Sequence, residues 1–231
     1  SIPDFDPNLR ANITDRNYIN RVTKGVYEFG SVFKTFTLAA AFHEGIIEPQ
    51  TQFNNLEKKL QCGKNTISEY DEKIPSDLSA EQILIRSGNI GSVRIGQSLG
   101  IEKFRKFIDK LNLINPIKFD IEEIGVPIPF NWGKCKLATT SYGHGITTTI
   151  LQLANAYSVI VNGGYKIRST LIKKKSYKKR EKILKNNVSK KINPILRKIV
   201  STKEGTASLA NVEGYEVGGK TGTAQKSVVG G

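Results

Sequence analysis

Tyr27-Glu28-Phe29-Gly30-Ser31-Val32-Phe33-Lys34 is the stretch on which the reading of this 231-residue chain turns. Gly30 interrupts the backbone. Ser31 then opens an apolar run, Phe33, Phe36, Leu38, Ala39, Ala40, Ala41 and Phe42, with no Gly or Pro before Gly45. The run predicts a mostly buried helix with Gly45 as its C-terminal stop. Ser31 falls in the first turn, and Lys34, three residues on, shares its face. A neutral Lys there could take the Ser proton, and the helix N-terminus would favour the negative charge that develops on oxygen. A Lys buried among apolar neighbours also has its pKa lowered, as a base requires.

Ser-x-x-Lys alone says little, because a helix cap followed by a solvated Lys is its ordinary meaning. Two more stretches change that. Ser87-Gly88-Asn89 follows 56 residues after Ser31, and Lys220-Thr221-Gly222-Thr223-Ala224 another 133 residues on. Ser-x-x-Lys, Ser-x-Asn and Lys-Thr-Gly in that order form the three-part set of penicillin-interacting serine enzymes. Three segments resemble one family: Tyr27–Lys34 with Thr35-Phe36-Thr37, Gly143-His144-Gly145-Ile146-Thr147 leading into Leu151-Gln152-Leu153-Ala154, and Gly218–Lys226. The chain resembles the transpeptidase domain of class B penicillin-binding proteins, nearest to the cell-division type, over nearly its whole length. Only about Leu171–Lys191 gives no match.

The resemblance implies an α+β fold of the penicillin-binding transpeptidase and β-lactamase kind, with helices packed on an antiparallel sheet, as a single domain over 1–231. It also implies roles. Ser31 would be the acyl-forming nucleophile and Lys34 its base. Ser87 would relay a proton to the leaving amine, and Asn89 would hold the substrate amide. Lys220 would lower the pKa of Lys34 and, with Thr221, stabilise charge. Gly222 would let the backbone approach closely, and the N–H groups of Ser31 and Thr223 would form an oxyanion hole. The implied substrates are peptidoglycan stem peptides, with β-lactams as inhibitors and no metal or organic cofactor. A glycan-polymerising membrane partner and division proteins would act through other parts of the protein. The implied location is the outer side of the bacterial cytoplasmic membrane, held by an N-terminal anchor. In that family more strands precede the position of Ser1, and two strands and a helix follow Lys-Thr-Gly. The resemblance thus implies a domain truncated at both ends, with a bare apolar edge along 215–229 and low stability or activity for the chain by itself. Two other readings stay open: a β-lactamase or β-lactam sensor with the same motifs, although no stretch is assignable to a deacylating Glu, and a non-catalytic remnant.

Composition fits this. A hydrophobic share of 38% and a charged share of 24% suit one globular domain with a sizeable core. There is no run of eighteen apolar residues and no Met, as in a processed or excised chain. The net charge of +14 is uneven: residues 173–191 hold ten Lys or Arg and one Glu. This block, within a polybasic loop at 171–191, carries one Tyr. It lacks the aromatic interleaving of a nucleic-acid site and reads as a solvated loop, with an anionic surface or polymer as the less ordinary partner. Two His and two Cys complete no metal set. A Cys62–Cys135 disulfide is left open by the oxidising compartment that the family resemblance implies.

Along the chain, Ser1–Asn8 reads as a strand end and loop, and Asn12–Tyr18 as a short helix. The region up to Pro75 has few periodic signals. Ser79-Ala80-Glu81-Gln82 is a capping box for a helix through Arg86. Ser87-Gly88 breaks that helix and Asn89 starts another, ending at Gly100, so Ser87 and Asn89 sit on a connector able to aim side chains into a cleft. Glu102–Leu111 is amphipathic, and Phe119–Trp132 reads as an extended loop. Thr148 or Thr149 caps a helix with Ile150, Leu153, Ala154, Tyr157 and Val161 inward. His144 is set aside as a base because a Lys base is supplied and no acidic partner is placed for it. Asn193-Pro194 predicts a helix start and a run to about Lys203. Tyr215–Lys226 predicts a strand whose alternation puts Lys220 and Gly222 on one face.

Overall fold

The computed structural model describes residues 18–173 and 180–224, with Asp6 and Asn8 before them. The readings of Ser1–Asn8 and Asn12–Tyr18 fall almost wholly outside these residues, as does everything from 225 onward.

Helix α1 (Lys34–Glu44) is the axis of the molecule, and every residue from Lys34 to His43 is buried. Gly45 ends it in the left-handed region (φ 69°), and Ile46 N–H reaches back to Ala41 O at 3.0 Å. Only a residue without a side chain adopts that turn at little cost. Around α1 stand α2 (Ala80–Ile85), α3 (Asn89–Leu99), α4 (Ile101–Lys110) and α7 (Asn186–Ser201), all packed on it. α5 (Lys134–Ser141) packs on α3, and α6 (Ile150–Val161) on α7. One continuous core joins Phe33, Phe36 and Phe42 to Phe104 and Phe107 of α4 and to Ile192, Ile195 and Ile199 of α7. Burying each such side chain is worth roughly 1.5–3 kcal/mol relative to exposure.

Both capping boxes form. Ser79 accepts from Gln82 N–H at the start of α2, and Thr149 accepts from Gln152 N–H at the start of α6, with the Gln side chains returning the bond. The inward face of α6 is turned from the one expected. Gln152, Ala156, Val159 and Ile160 are buried, whereas Ile150 and Val161 are exposed. The cause is Gln152, whose amide donates inward to Asn112 O and Asn115 O at 2.9 and 2.7 Å and draws that face into the core.

The strands are antiparallel but, among the described residues, pair only two by two. β1 (Val26–Glu28) pairs with β6 (Thr147–Thr149), β2 (Gln52–Phe53) with β5 (Leu78–Ser79), and β3 (Lys59–Cys62) with β4 (Asn65–Ser68). Among the described residues the helices stand around α1 with small antiparallel strand pairs at the margin, the mixed helix and sheet arrangement expected. The region before Pro75 holds the β3–β4 hairpin, whose period-2 signal is weak because only Ile67 of β4 is buried. Residues 215–224 form no strand. Gly219 N–H to Leu196 O and the Arg197 guanidinium to Val217 O tie this segment to α7, and no described strand lies beside it to supply a ladder. α7 begins at Asn186, seven residues before the expected start and inside the stretch read as a basic loop, and it carries Pro194 within it. Pro cannot donate to Lys190 O, but the stripe Val188, Ile192, Ile195, Leu196, Ile199 and Val200 is buried on both sides of it, and that packing outweighs one lost bond.

Cys62 of β3 and Cys135 of α5 form a disulfide with Cα atoms 5.4 Å apart. The open question of their pairing is answered: the bond ties the β3–β4 hairpin to α5. Among the described residues no helix is long and apolar enough to cross a membrane.

Candidate active site

Ser31 stands in a 3-10 turn, Gly30–Phe33, that runs straight into α1. Gly30 (φ 53°) starts the turn, and any Cβ there would overlap the Thr223 carbonyl. Gly143 packs against the Gly30 carbonyl from another side. At Gly222 a Cβ would stand 2.5 Å from Val32 Cγ2 and 2.7 Å from Phe29 O. The Ser31 turn is thus pressed between two backbones, which explains a glycine at each contact better than any flexibility would. Tyr157 of α6 fastens the turn from below, its hydroxyl donating to Thr35 Oγ1 at 2.7 Å and to Val32 O at 3.3 Å.

Lys34 is 1% exposed. Its Nζ donates to Ser87 O at 2.5 Å, to Asn89 Oδ1 at 2.6 Å and to Ser87 Oγ at 3.2 Å. Burial, and then the nearby Lys220 cation, bring its pKa down to about 7, against a smaller upward pull from Glu69. Lys220 Nζ donates to the same Ser87 Oγ at 2.8 Å and to Thr221 Oγ1 at 3.2 Å, and burial lowers its pKa to about 8. Thr221 Oγ1 lies 2.8 Å from Thr206 Oγ1. Two ammonium groups thus converge on one hydroxyl. Ser87 itself is buried and held at φ 58°, a strained backbone for a residue with a Cβ.

The structure brings together all three motifs expected from the sequence. Ser31, Lys34, Ser87, Asn89, Lys220, Thr221, Gly222 and Thr223 lie around the start of α1, with Lys220 and Gly222 facing it although no strand forms. Asn89 is more committed than expected. Its Oδ1 is taken by Lys34, and its Nδ2 donates to Ser68 O at 2.8 Å, which leaves one amide hydrogen for a substrate. His144 is corrected in one respect: the β1–β6 pairing sets Glu28 Oε2 3.6 Å from its Nδ1, so an acidic neighbour exists. Glu69, Tyr157 and Thr206 were missed. Tyr157 counts only as an apolar helix position, Thr206 falls in none of the elements read above, and Glu69 lies where periodicity is weakest.

A Ser-x-x-Lys turn at a helix start, two lysines of lowered pKa and a Ser between them are the arrangement of the penicillin-recognising class. The chain belongs to the penicillin binding protein transpeptidase domain family, whose model matches residues 1–231. It is 32% identical over 231 residues to a probable peptidoglycan D,D-transpeptidase FtsI of Caulobacter vibrioides, covering 98% of this chain and 39% of that protein. It is 34% identical over 252 residues to stage V sporulation protein D of Bacillus subtilis, covering 98% of this chain and 37% of that one. Its fold matches the transpeptidase domain of Burkholderia pseudomallei penicillin-binding protein 3 with a TM-score of 0.84 and 27% identity, over 92% of this chain and 65% of that structure. The chain therefore spans about two fifths of the length of these two curated relatives.

Proposed function

We propose that this chain carries the acyl-transfer centre of a serine peptidoglycan D,D-transpeptidase and is a target of β-lactams. The observation that carries the reading is the convergence of Lys34 Nζ and Lys220 Nζ on Ser87 Oγ next to the Ser31 turn. With its pKa brought down to about 7, about half of Lys34 is neutral at pH 7 and able to accept the Ser31 proton. Ser31 Oγ attacks the carbonyl carbon of the D-Ala–D-Ala amide of a stem peptide, and the backbone N–H groups of Ser31 and Thr223 hold the oxyanion. Each such donor is worth about 3 kcal/mol of barrier. The C–N bond breaks, and the proton passes through Ser87 to the departing D-Ala amine. An amine of a neighbouring stem peptide then attacks the Ser31 ester, forming the cross-link and returning Ser31 Oγ. Asn89 positions the substrate amide with its remaining hydrogen, and Thr221 with Lys220 receives the substrate carboxylate. A β-lactam acylates Ser31 by the same first step, but no D-Ala is released.

The name of one relative, a probable peptidoglycan D,D-transpeptidase, supports a site of action on peptidoglycan in the cell envelope; the outer side of the cytoplasmic membrane, septal cross-linking and a glycan-polymerising partner are part of the same proposal and rest on the family resemblance. The test is intact mass after incubation with benzylpenicillin, with Ser31→Ala as control. One stable drug mass on the native chain and none on the variant is the expected result. No adduct on a chain folded by circular dichroism would reject the reading.

A further inference from the structure

The start of α3 is clamped from outside its own chain segment. Its N-cap is Gly88, which offers no side chain to the free N–H groups of the first turn. Glu69 supplies what Gly88 lacks: Oε2 accepts Asn89 N–H at 2.6 Å and Oε1 accepts Ile90 N–H at 2.8 Å. A carboxylate at a helix N-terminus is favoured by the exposed N–H dipoles. The residue clamped in this way is Asn89, whose side chain holds Lys34. The neighbouring carbonyl of Ser68 takes the other end of the same carboxamide. Glu69 is carried to this place by the β3–β4 hairpin. Its own N–H is bonded to Lys58 O at 3.1 Å, and Tyr70 beside it is fixed to Arg86 O at 2.9 Å.

We propose that Glu69 is a positioning residue for acyl transfer: it fixes Asn89, which holds Lys34 in place, and it sets a negative charge near the Lys34–Lys220 pair. The proposal rests on the transpeptidase reading above. The charged groups facing Lys34 are Lys220, from the segment after α7, and Glu69; next to Glu69 stand Tyr70, Asp71 and Arg86. Burial first, then Asp71 and Glu69, raise the Tyr70 hydroxyl above its ordinary value, so it does not titrate in the working range. Glu69 pulls the Lys34 pKa upward while Lys220 pulls it down. Loss of the Glu69 charge therefore has an opposite sign from loss of the Lys220 charge, which a purely structural role would not produce.

The test compares Glu69→Gln and Glu69→Asp with the native chain in the rate of acylation by a fluorescent penicillin across pH. Gln keeps the shape of the side chain but not its charge. The expected result for Glu69→Gln is a fall in the maximal rate on the order of ten- to a hundred-fold, as for a misplaced catalytic group, together with a shift of the rising limb to lower pH. Glu69→Asp, which restores the charge, returns the limb to its native position. A limb that does not move, or that moves equally with Asp, overturns the proposal even if the melting temperature falls. A second readout is independent of any reaction: titration of the Lys34 side chain by nuclear magnetic resonance on chains labelled at the lysine ε-carbon. A lower Lys34 pKa in Glu69→Gln upholds the electrostatic role even if no adduct forms and the transpeptidase reading fails. An unchanged pKa rejects it.

Discussion

Gly222→Ala tests whether the fit between the Lys-Thr-Gly segment and the nucleophile turn is part of the catalyst. The added Cβ would stand 2.5 Å from Val32 Cγ2 and 2.7 Å from Phe29 O. Carbon contacts settle at about 3.5–4.0 Å, so the two segments must part by roughly 1 Å. Val32 could turn its side chain, but the Phe29 carbonyl belongs to the backbone that leads into Ser31 and cannot. The parting moves the Thr223 N–H away from the Ser31 N–H with which it would hold the oxyanion. A misplacement of about 1 Å costs on the order of a hundred-fold, and removal of one oxyanion donor about 10²- to 10³-fold. We expect the second-order acylation rate with a fluorescent penicillin to fall about a hundred-fold, which is about 3 kcal/mol of barrier. The segment lies outside the main core, so the melting temperature should change by only a few degrees. Gly219→Ala is the control, because a Cβ there meets nothing within 4 Å. If Gly222→Ala acylates within about three-fold of the native rate, or if Gly219→Ala is equally slow, the close approach is not what the site depends on.

Three further outcomes follow from the same geometry. With Lys34 near 7 and Lys220 near 8, the acylation rate should rise through about pH 7 as Lys34 loses its proton and fall through about pH 8 as Lys220 does; a flat profile between pH 6 and 9 would refute the assignment of base and cation. Lys34→Met should abolish acylation yet raise the melting temperature, more near pH 6 than near pH 10. The folded pKa lies below the unfolded 10.5, so the unfolded chain holds more protons between about 7 and 10.5, native stability rises with pH across that window, and the cost of the buried charge is fully present only below it; equal effects at both pH values would contradict this. The Cys62–Cys135 bond spans 73 residues and by chain entropy should contribute about 4 kcal/mol, so thermal denaturation with reductant should show a midpoint lower by roughly 10 °C, and a shift under about 2 °C would show that the hairpin is held by other contacts.

The central helix and the three motifs were legible because each leaves a local mark. An unbroken apolar run ends at Gly45, and short polar signatures precede or follow glycines. The Ser79–Gln82 capping box was legible for the same reason, since cap and partner lie three residues apart, and at α6 the Thr149 cap was legible but not its Gln152 partner. What the sequence hid depends on distant partners. Pro194 reads locally as a helix start, and only the buried stripe on both sides shows that the helix passes through it. The strand expected at 215–226 alternates well, but a strand also needs a neighbour, and pairing is not written in one segment. The turned face of α6 was decided by Gln152 reaching two carbonyls about forty residues away, which a count of apolar positions assigns to solvent. Glu69 is the extreme case: a charged residue at the end of a weakly patterned hairpin, given its place by a contact twenty residues on.

These distant partners divide the labour of the site unevenly. α1 is buried over nearly its whole length, and its core would hold Ser31 in place whatever the chemistry. Nothing in that packing favours two ammonium groups on one hydroxyl, or Ser87 at a positive φ. Such an arrangement is costly and persists only where the surroundings over-determine it. The surroundings that do so are peripheral. The β3–β4 hairpin brings Ser68 and Glu69 to Asn89, the disulfide binds that hairpin to α5, and α5 returns through Ser141, whose carbonyl accepts from Thr37 Oγ1 of α1 at 2.8 Å. Substitutions at Ser68 and Glu69 should therefore alter acylation more than stability, whereas truncations in the α1 core should do the reverse.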